Sequence, residues 1–414
     1  MAFYDRWDNI AYLWTNGILK TLPESFVDHV SPANSVKKLK LTFKHFGADF
    51  LRMWRSEDIP KNKIWFLVLT KNNYDALKDV EELTNDSIFV SFFRYRSTIN
   101  KETFYFNLGR KFLWDLLYPF FWGVYAIKRP KKAIRYFDLF MAVNGSFWEF
   151  KRTIKKYRPR AIVFTNDHLV EARSMLLAAN SLDVPTFYIP HASVSEYFPP
   201  LEFTYSLLDG QDALDKYRKC GPINSNVELL GMPKFDKYVG EVNVANTVKS
   251  VGIAYNMVDK VEDVLKLAKL IKANISEVEL ILRPHPGDTR SFEKEIEEIT
   301  LSDSKKEDAF SFLKKIDVLI SGESSIHLEA VLLNVYPLYY SFSPNNRYDY
   351  YGYIKKGLVE PFANPQKIVQ ELNELKTNRP DIRSRANYYN AAVNASFYGK
   401  SCEVMSELIT QKAN

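Results

Sequence analysis

The sequence predicts an α/β protein built from two parallel-sheet domains, and three observations lead there. The chain has 414 residues, more than one compact core of ordinary size takes up, so two domains are expected. Short apolar runs alternate with stretches of helical periodicity, the pattern of βαβ units. The alternation occurs in two series of similar size on either side of a small, polar segment.

Residues 1–60 are expected as a helical extension, because FYDRWDNIAYLW and VKKLKLTFKHFGADFLRMW both carry apolar residues at helical spacing. Buried-strand runs follow at Ile64–Thr70, Ser87–Phe93, Ala161–Thr165 and Pro185–Ile189, with a helix over Leu169–Ala179 between the last two. A boundary is expected after Phe235, and Val239–Asn246 reads as a linker. The second series has strands at Ser250–Tyr255, Val278–Leu282, Val318–Ser321 and Tyr336–Tyr340, and helices at Val261–Ala273, Phe292–Ile299 and Ile326–Leu333. A last helical stretch is expected from Asp381 to Leu408. The expected domains are therefore 1–240, 248–380, and a C-terminal helix over 381–414 packing back toward the first. Open parallel sheets bind ligands outside the carboxyl ends of their strands, so the chemistry is sought there, in a cleft between the two sheets.

Composition narrows the function classes. Hydrophobic residues make up 46% and charged residues 26%, which excludes global disorder. The net charge of +6 suits an anionic ligand or an anionic membrane surface and is too weak to argue for a nucleic-acid partner. The two cysteines, Cys220 and Cys402, form no disulfide framework and no zinc spacing. The first residues lack the basic-then-apolar pattern of a signal peptide. The expected location is the cytoplasm, with peripheral contact on the inner face of the membrane as an option. That option comes from the aromatic run Phe112–Ile127, which is flanked by Arg110, Lys111, Lys128, Arg129, Lys131 and Lys132. The run is too short, and too interrupted by Asp115 and Pro119, to span a bilayer. It reads either as a buried helix or as an interfacial patch.

Four motifs carry candidate chemistry. In Arg283-Pro284-His285-Pro286 a strand ends in an Arg and a His held between prolines, which restrict the backbone and present a preorganised pair to a phosphate. In Ser321-Gly322-Glu323-Ser324-Ser325 a strand meets a helix start, where unpaired amides and the hydroxyls of Ser324 and Ser325 favour an anion. Glu329, further into that helix, is placed to reach a ribose hydroxyl or to lie on the surface. His191 follows Pro190 at a strand end of the first series and suits a general base or a phosphate ligand. Asp167, in Thr165-Asn166-Asp167-His168, is either a helix N-cap or the base that deprotonates an acceptor. Four of the six histidines fall in these motifs, with His327 the least important. No P-loop, dinucleotide fingerprint, nucleophile elbow or metal-binding aspartate pair is present. Neither a metal nor an organic cofactor is expected.

With these motifs in hand, the second half resembles the nucleotide-binding half of bacterial GT-B-type transferases of surface polysaccharides. Arg283-Pro284-His285-Pro286 resembles the HP motif of bacterial sialyl-, polysialyl- and Kdo transferases, and Ser324-Ser325 resembles their paired serines. The stretch from Ile189-Pro190-His191 to Gly231-Met232-Pro233-Lys234-Phe235-Asp236 is similar to CDP-glycerol glycerophosphotransferases. The likeness spans about Ala161 to Leu338, and residues 1–60 take no part in it. It implies two Rossmann-like domains facing across a cleft, with Arg283, His285, Pro286, Ser324, Ser325 and Glu329 on the donor nucleotide. The acid-acid-Gly motif that supplies the sialyltransferase base is absent as such, and Asp167 or His191 takes that role. The His-Gly pair of the glycerophosphotransferases is His191-Ala192 here. The expected function is inverting, metal-independent transfer of a nonulosonic acid from a CMP-activated sugar donor. The acceptor is a saccharide or lipid-linked saccharide in capsule or lipopolysaccharide assembly. A CDP-polyol transferase, a UDP-N-acetylhexosamine 2-epimerase and a non-catalytic carbohydrate-binding scaffold remain as alternatives.

Overall fold

A computed structural model of the chain describes residues 2–16, 28, 31–54, 58–92, 102–257, 259–288, 290, 299–342 and 349–413. The chain divides into two compact units, Met1–Lys234 with Lys400–Asn414, and Phe235–Gly399.

The first unit contains α1 (Phe3–Ile10), α2 (Tyr12–Thr15), α3 (Ser35–Arg52), β1 (Ile64–Leu67), α4 (Lys71–Leu83), β2 (Ser87–Phe92) and β3 (Thr103–Phe106). It continues through α5 (Lys111–Asp115), α6 (Tyr118–Lys128), α7 (Pro130–Arg135), α8 (Phe137–Tyr157), β4 (Ala161–Phe164) and α9 (Val170–Asn180). The series closes with β5 (Thr186–Tyr188), β6 (Tyr205–Leu208), α10 (Gln211–Cys220) and β7 (Asn226–Leu229). Its seven strands form one sheet in the order β3-β2-β1-β4-β5-β6-β7, and every pairing is parallel. The central strands are buried along their whole length, IWFL in β1 and AIVF in β4. Helices cover both faces of such strands, which is why these stretches are continuous apolar runs rather than alternating ones. β7 lies at the edge and its residues alternate between exposed and half-buried.

The N-terminal helices belong to this core. Trp7 of α1 stacks on Phe140 of α8 with ring centroids 5.8 Å apart. Asp8 accepts a hydrogen bond from Tyr125 Oη at 2.9 Å and is paired with Arg129. Asn34 caps α3 by accepting from the amides of Val36 and Lys37. Where α5 crosses α8, a Cβ at Gly145 would sit 2.3 Å from Asp115 Oδ1, so a larger residue there would displace the Asp115 carboxylate. Asp115 is held there by Lys111, which also pairs with Asp49.

The second unit contains β8 (Ser250–Tyr255), α11 (Val261–Asn274), β9 (Glu279–Pro284), β10 (Thr300–Leu301) and α12 (Ala309–Leu313). It continues with β11 (Val318–Ser321), α13 (Ile326–Leu332), β12 (Tyr336–Tyr339), β13 (Glu360–Pro361) and α14 (Pro365–Leu375). Its six strands run parallel in the order β10-β9-β8-β11-β12-β13. Asp317 pins the sheet at its amino end, accepting from the amides of Lys249 and Ser250 and from Asn243 Nδ2. The chain then enters α15 (Ser401–Lys412) of the first unit, where Ser406 lies 3.1 Å from the Thr84 hydroxyl.

Several expected elements differ in extent. β1 ends at Leu67 rather than Thr70, and β9 runs to Pro284 rather than Leu282. Phe93 and residues 292–298 of the expected helix Phe292–Ile299 lie outside the described residues. The stretch expected to be helical from Asp381 forms only two 3-10 turns, Arg383–Ala386 and Ala391–Asn394, before α15 begins. Asn390 caps the second turn through its own side chain, and Gly399 adopts φ +76°. Both features compete with helix continuation. Part of the expected linker is structured: Pro233–Glu241 is a 3-10 helix whose Tyr238 hydroxyl donates to Asp308 Oδ2 at 2.8 Å. The aromatic run splits at Leu116–Leu117 into α5 and α6, with Pro119 in the first turn of α6. It is not simply buried: Tyr118 and Tyr125 point inward, whereas Phe120 and Ile127 are exposed.

Candidate functional site

Both sheets reverse their strand order once, between β1 and β4 in the first unit and between β8 and β11 in the second. Loops leave such a switch point in opposite directions and open a crevice at the carboxyl ends of the two strands. The candidate residues gather at these two points.

In the second unit, Arg283, Ala254 and Ser321 stand level in one row across β9, β8 and β11. The His285 and Ser324-Ser325 motifs are therefore level strand ends. They are not neighbours, because β8 lies between their strands, and β10 intervenes between them in sequence. Two strand spacings, roughly 10 Å, separate the rows. The loop after β8 fills the interval. Its Asn256 Nδ2 lies 3.4 Å from the Glu323 carbonyl, and its Asn256 and Asp259 carbonyls accept from the Arg290 guanidinium at 2.9 and 2.8 Å. Asn256, Asp259 and Arg290 are thus site-building residues that the motif search passed over, since none follows an HP or a paired serine.

His285 is exposed, and its Nδ1 accepts the Gly287 amide at 3.0 Å. The ring proton is then on Nε2, which leaves an N–H donor directed away from the turn. Partial burial and the Arg283 charge pull its pKa down, and Asp288 opposes them. Pro286 is exposed beside it. Arg283 behaves differently from the expected phosphate contact. Its guanidinium is buried, donates to Ser302 Oγ at 2.9 Å and to the Glu307 carbonyl at 3.0 Å, and lies over the Phe312 ring. Glu329 is also buried, within electrostatic range of Arg283. Both residues are turned into the body of the unit.

Ser324 and Ser325 are half-buried at the start of α13. The Ile326 amide reaches Ser324 Oγ at 3.4 Å, while Ser325, the capping residue, spends no side-chain bond on the cap. Glu323, just ahead of them, accepts from the Tyr351 amide and the Tyr339 hydroxyl, both at 3.3 Å. Burial pushes its pKa up to about 7, which makes it a titrating group within the serine loop. His327 is fully buried, with Nε2 2.9 Å from the Gly322 carbonyl, so it supports the loop from behind.

In the first unit, Asp167 and His168 follow β4 and His191 follows β5, the adjacent strand. Asp167 is buried, and both its carboxylate oxygens are engaged. Oδ1 lies 2.8 Å from His168 Nδ1, and Oδ2 accepts the Tyr217 hydroxyl at 2.6 Å. Tyr217 has a single proton, so the Tyr188 hydroxyl, 3.0 Å away, donates to it in turn. Burial and the Asp167 charge hold both phenols far above their usual range. Asp167 does not serve as an N-cap. The N-cap of α9 is Leu169, which makes no side-chain cap bond, and Asn166 Oδ1 closes the turn ahead of the helix by accepting from the amides of His168 and Leu169. His168 is only half-buried, and its ring lies 4.6 Å from that of Phe198. With Nδ1–H given to Asp167, its Nε2 carries the ring's lone pair, with Asn166 Nδ2 3.4 Å away. His191 Nδ1 lies 2.6 Å from the Thr165 carbonyl, and burial lowers its pKa to about 4. A cavity of about 430 Å³ in the same unit has Leu169 and Val170, the residues after His168, in its wall with Leu41 and His45 of α3. Among the described residues, no group of three or more His, Cys, Asp or Glu side chains is arranged to hold a metal ion.

No protein-family model matches the chain, and a comparison with curated proteins gives no match. Solved structures do resemble it. UDP-GlcNAc 2-epimerase from Neisseria meningitidis, bound to UDP-GlcNAc, superposes with a TM-score of 0.55 at 11% identity, covering 84% of this chain and 100% of that one. A variant of the wall teichoic acid polymerase TagF, soaked with CDPG, gives 0.55 at 11% identity over 91% of this chain and 95% of that one. The glycotransferase of kitacinnamycin gives 0.54 at 9% identity over 85% and 99%. Identities this low speak for the fold alone, and the chain has the two-Rossmann-domain architecture of the GT-B type.

Proposed function

We propose that the chain is a sugar-nucleotide-dependent glycosyltransferase of surface-polysaccharide assembly, and that its donor is a CMP-activated nonulosonic acid of the sialic, pseudaminic or legionaminic type. One observation carries this reading: His285 spends Nδ1 on its own turn, which leaves Nε2–H as a donor at a strand end level with, and two strands across from, the loop bearing Ser324 and Ser325. That set consists of neutral donors at a switch point, and it suits the single phosphate of a CMP-sugar. Arg283 acts behind it as a scaffold, and Glu329 lies beside Arg283.

The acceptor hydroxyl oxygen attacks the anomeric carbon, the bond from that carbon to the phosphate oxygen breaks, and CMP leaves with the electron pair. His285 and the serines stabilise the charge gathering on the phosphate. The hydroxyl proton passes to a base of the first unit. His168 suits that role best, with Asp167 fixing its tautomer and stabilising the imidazolium that forms. A His191 with a pKa near 4 is a weaker base at neutral pH. The cavity walled by Leu169 and Val170, which mixes apolar side chains with Asp49, Arg52, Lys111 and Glu171, is where we assign the acceptor saccharide.

A CDP-linked polyol is the other donor to test, because Lys234 lies within electrostatic reach of His191 and suits a second anionic group. Calorimetry of the full chain against CMP, CDP and UDP, followed by assay of CMP release from CMP-sugars with saccharide acceptors, tests the proposal. Preference for CDP favours the polyol donor, preference for UDP the 2-epimerase reaction, and absence of any nucleotide binding the scaffold.

A further inference from the structure

We infer that the helical face formed by α3, α5, α6 and α7 docks the chain onto an anionic lipid bilayer. α3 leaves Val36, Leu39, Phe43 and Phe50 exposed, at the spacing of one helix face, with Phe43 70% exposed. Across α5 and α6, Leu113, Leu116, Phe120, Val124 and Ile127 repeat the pattern, with Phe120 77% and Ile127 81% exposed. A water-facing surface rarely carries two such stripes.

The stripes belong to one connected surface. Phe112 of α5 packs against Phe46 and Phe50 of α3, with centroids 4.4 and 5.0 Å apart. At the other end of α3, the Lys38 ammonium donates to the carbonyls of Ile134 and Arg135, which close α7. Ile134 is itself exposed. The inward faces are already committed, with Tyr118 and Tyr125 buried and Asp8 paired to Arg129 and Lys132.

Charge selects the occupant. From Ser35 to Ala48, and from Leu116 to Phe137, no acidic residue occurs. Lys37, Lys40, Lys44, Lys128 and Lys131 are exposed among the apolar side chains. A second copy of the chain would set lysine against lysine. A bilayer bearing anionic headgroups meets both features, taking the apolar side chains to acyl depth and the ammonium groups at the phosphate level. No helix among the described residues is long and apolar enough to cross a membrane, which is consistent with a peripheral mode.

The test uses the full chain with no nucleotide present, so it stands apart from the donor assignment. Vesicles of phosphatidylcholine alone are compared in flotation with vesicles containing one part in three phosphatidylglycerol. Binding is expected to the anionic vesicles and to weaken with salt. Phe43→Glu with Phe120→Glu and Ile127→Glu lowers partitioning by roughly tenfold or more. Lys128→Glu with Lys131→Glu lowers it by roughly tenfold on anionic vesicles only. Val244→Glu, at an exposed position of the second unit, leaves it unchanged. Circular dichroism checks folding, and Phe120→Ser serves if the triple variant does not fold. Failure to bind anionic vesicles overturns the inference, as does undiminished binding by the variants. So does a dimer in sedimentation velocity that the triple variant dissolves, because the face then belongs to a second copy.

Discussion

His168 Nδ1 lies 2.8 Å from Asp167 Oδ1, so two residues adjacent in sequence form one acid–imidazole pair at the end of β4. The carboxylate is buried and the imidazole half-exposed, so of the two it is the histidine that is open to solvent, and under the proposed function it is the member set to meet an acceptor. His168→Ala is expected to lower kcat by roughly a hundredfold or more with CMP affinity unchanged. Asp167→Asn lowers kcat as well, by removing the partner that fixes the tautomer. Steady-state kinetics with parallel calorimetry reads both. Full activity in His168→Ala would return the role to His191.

His285→Ala removes the Nε2–H donor and is expected to weaken CMP binding by roughly tenfold, the worth of one hydrogen bond to a charged group. His285→Gln, which keeps an N–H donor at similar reach, recovers part of that loss. Calorimetry with CMP separates the three proteins. Equal affinities would remove His285 from the donor site.

Arg283→Ala is expected to act on stability. The substitution strands the Glu307 carbonyl and takes one donor from the Ser302 hydroxyl, which keeps its own bond to Glu307 Oε1, at a cost of about 2–3 kcal/mol. Urea denaturation reads the loss. A variant with wild-type stability but abolished CMP binding would show that Arg283 grips the donor directly.

Glu323 gives the second unit a pH signature. Its folded pKa, raised to about 7 by burial, lies above the usual carboxylate value, so the folded state holds a proton that the unfolded state has released between these limits. Stability therefore falls as pH rises from the carboxylate range through 7, by on the order of 2 kcal/mol. Glu323→Gln removes that fall and is more stable than the wild type at pH 8 but not at pH 4. Because the ionised carboxylate adjoins Ser324, CMP affinity should also decline across the same interval in the wild type and stay level in the variant. Flat profiles in the wild type would show that Glu323 does not titrate there.

Much of the fold was legible from composition along the chain. The strands IWFL, AIVF, SVGIAY and VLIS are buried on both faces, and burial on both faces requires the continuous apolar runs by which they were read. The short edge strands β3, β7, β10 and β13 escaped, because a strand half open to water carries no such run. At the sites, prolines flanking His285 and small residues before Ser324 mark strand ends through backbone restriction alone, so these positions are readable locally.

What the sequence determined by itself is therefore what depends on neighbours in the chain: two series of buried parallel strands, and the turns at their carboxyl ends with His191, His285 and Ser324-Ser325 in them. Tertiary structure decided the partners. It inserted β8 between the His285 and Ser324-Ser325 motifs, turned Arg283 toward Ser302 and Glu307, and buried Asp167 against Tyr217 while leaving His168 half-exposed. It also left the aromatic stripes of α3 and α6 uncovered. Each of these follows from which remote side chain satisfies a charge or covers an apolar face, and residue spacing along the chain does not encode that choice.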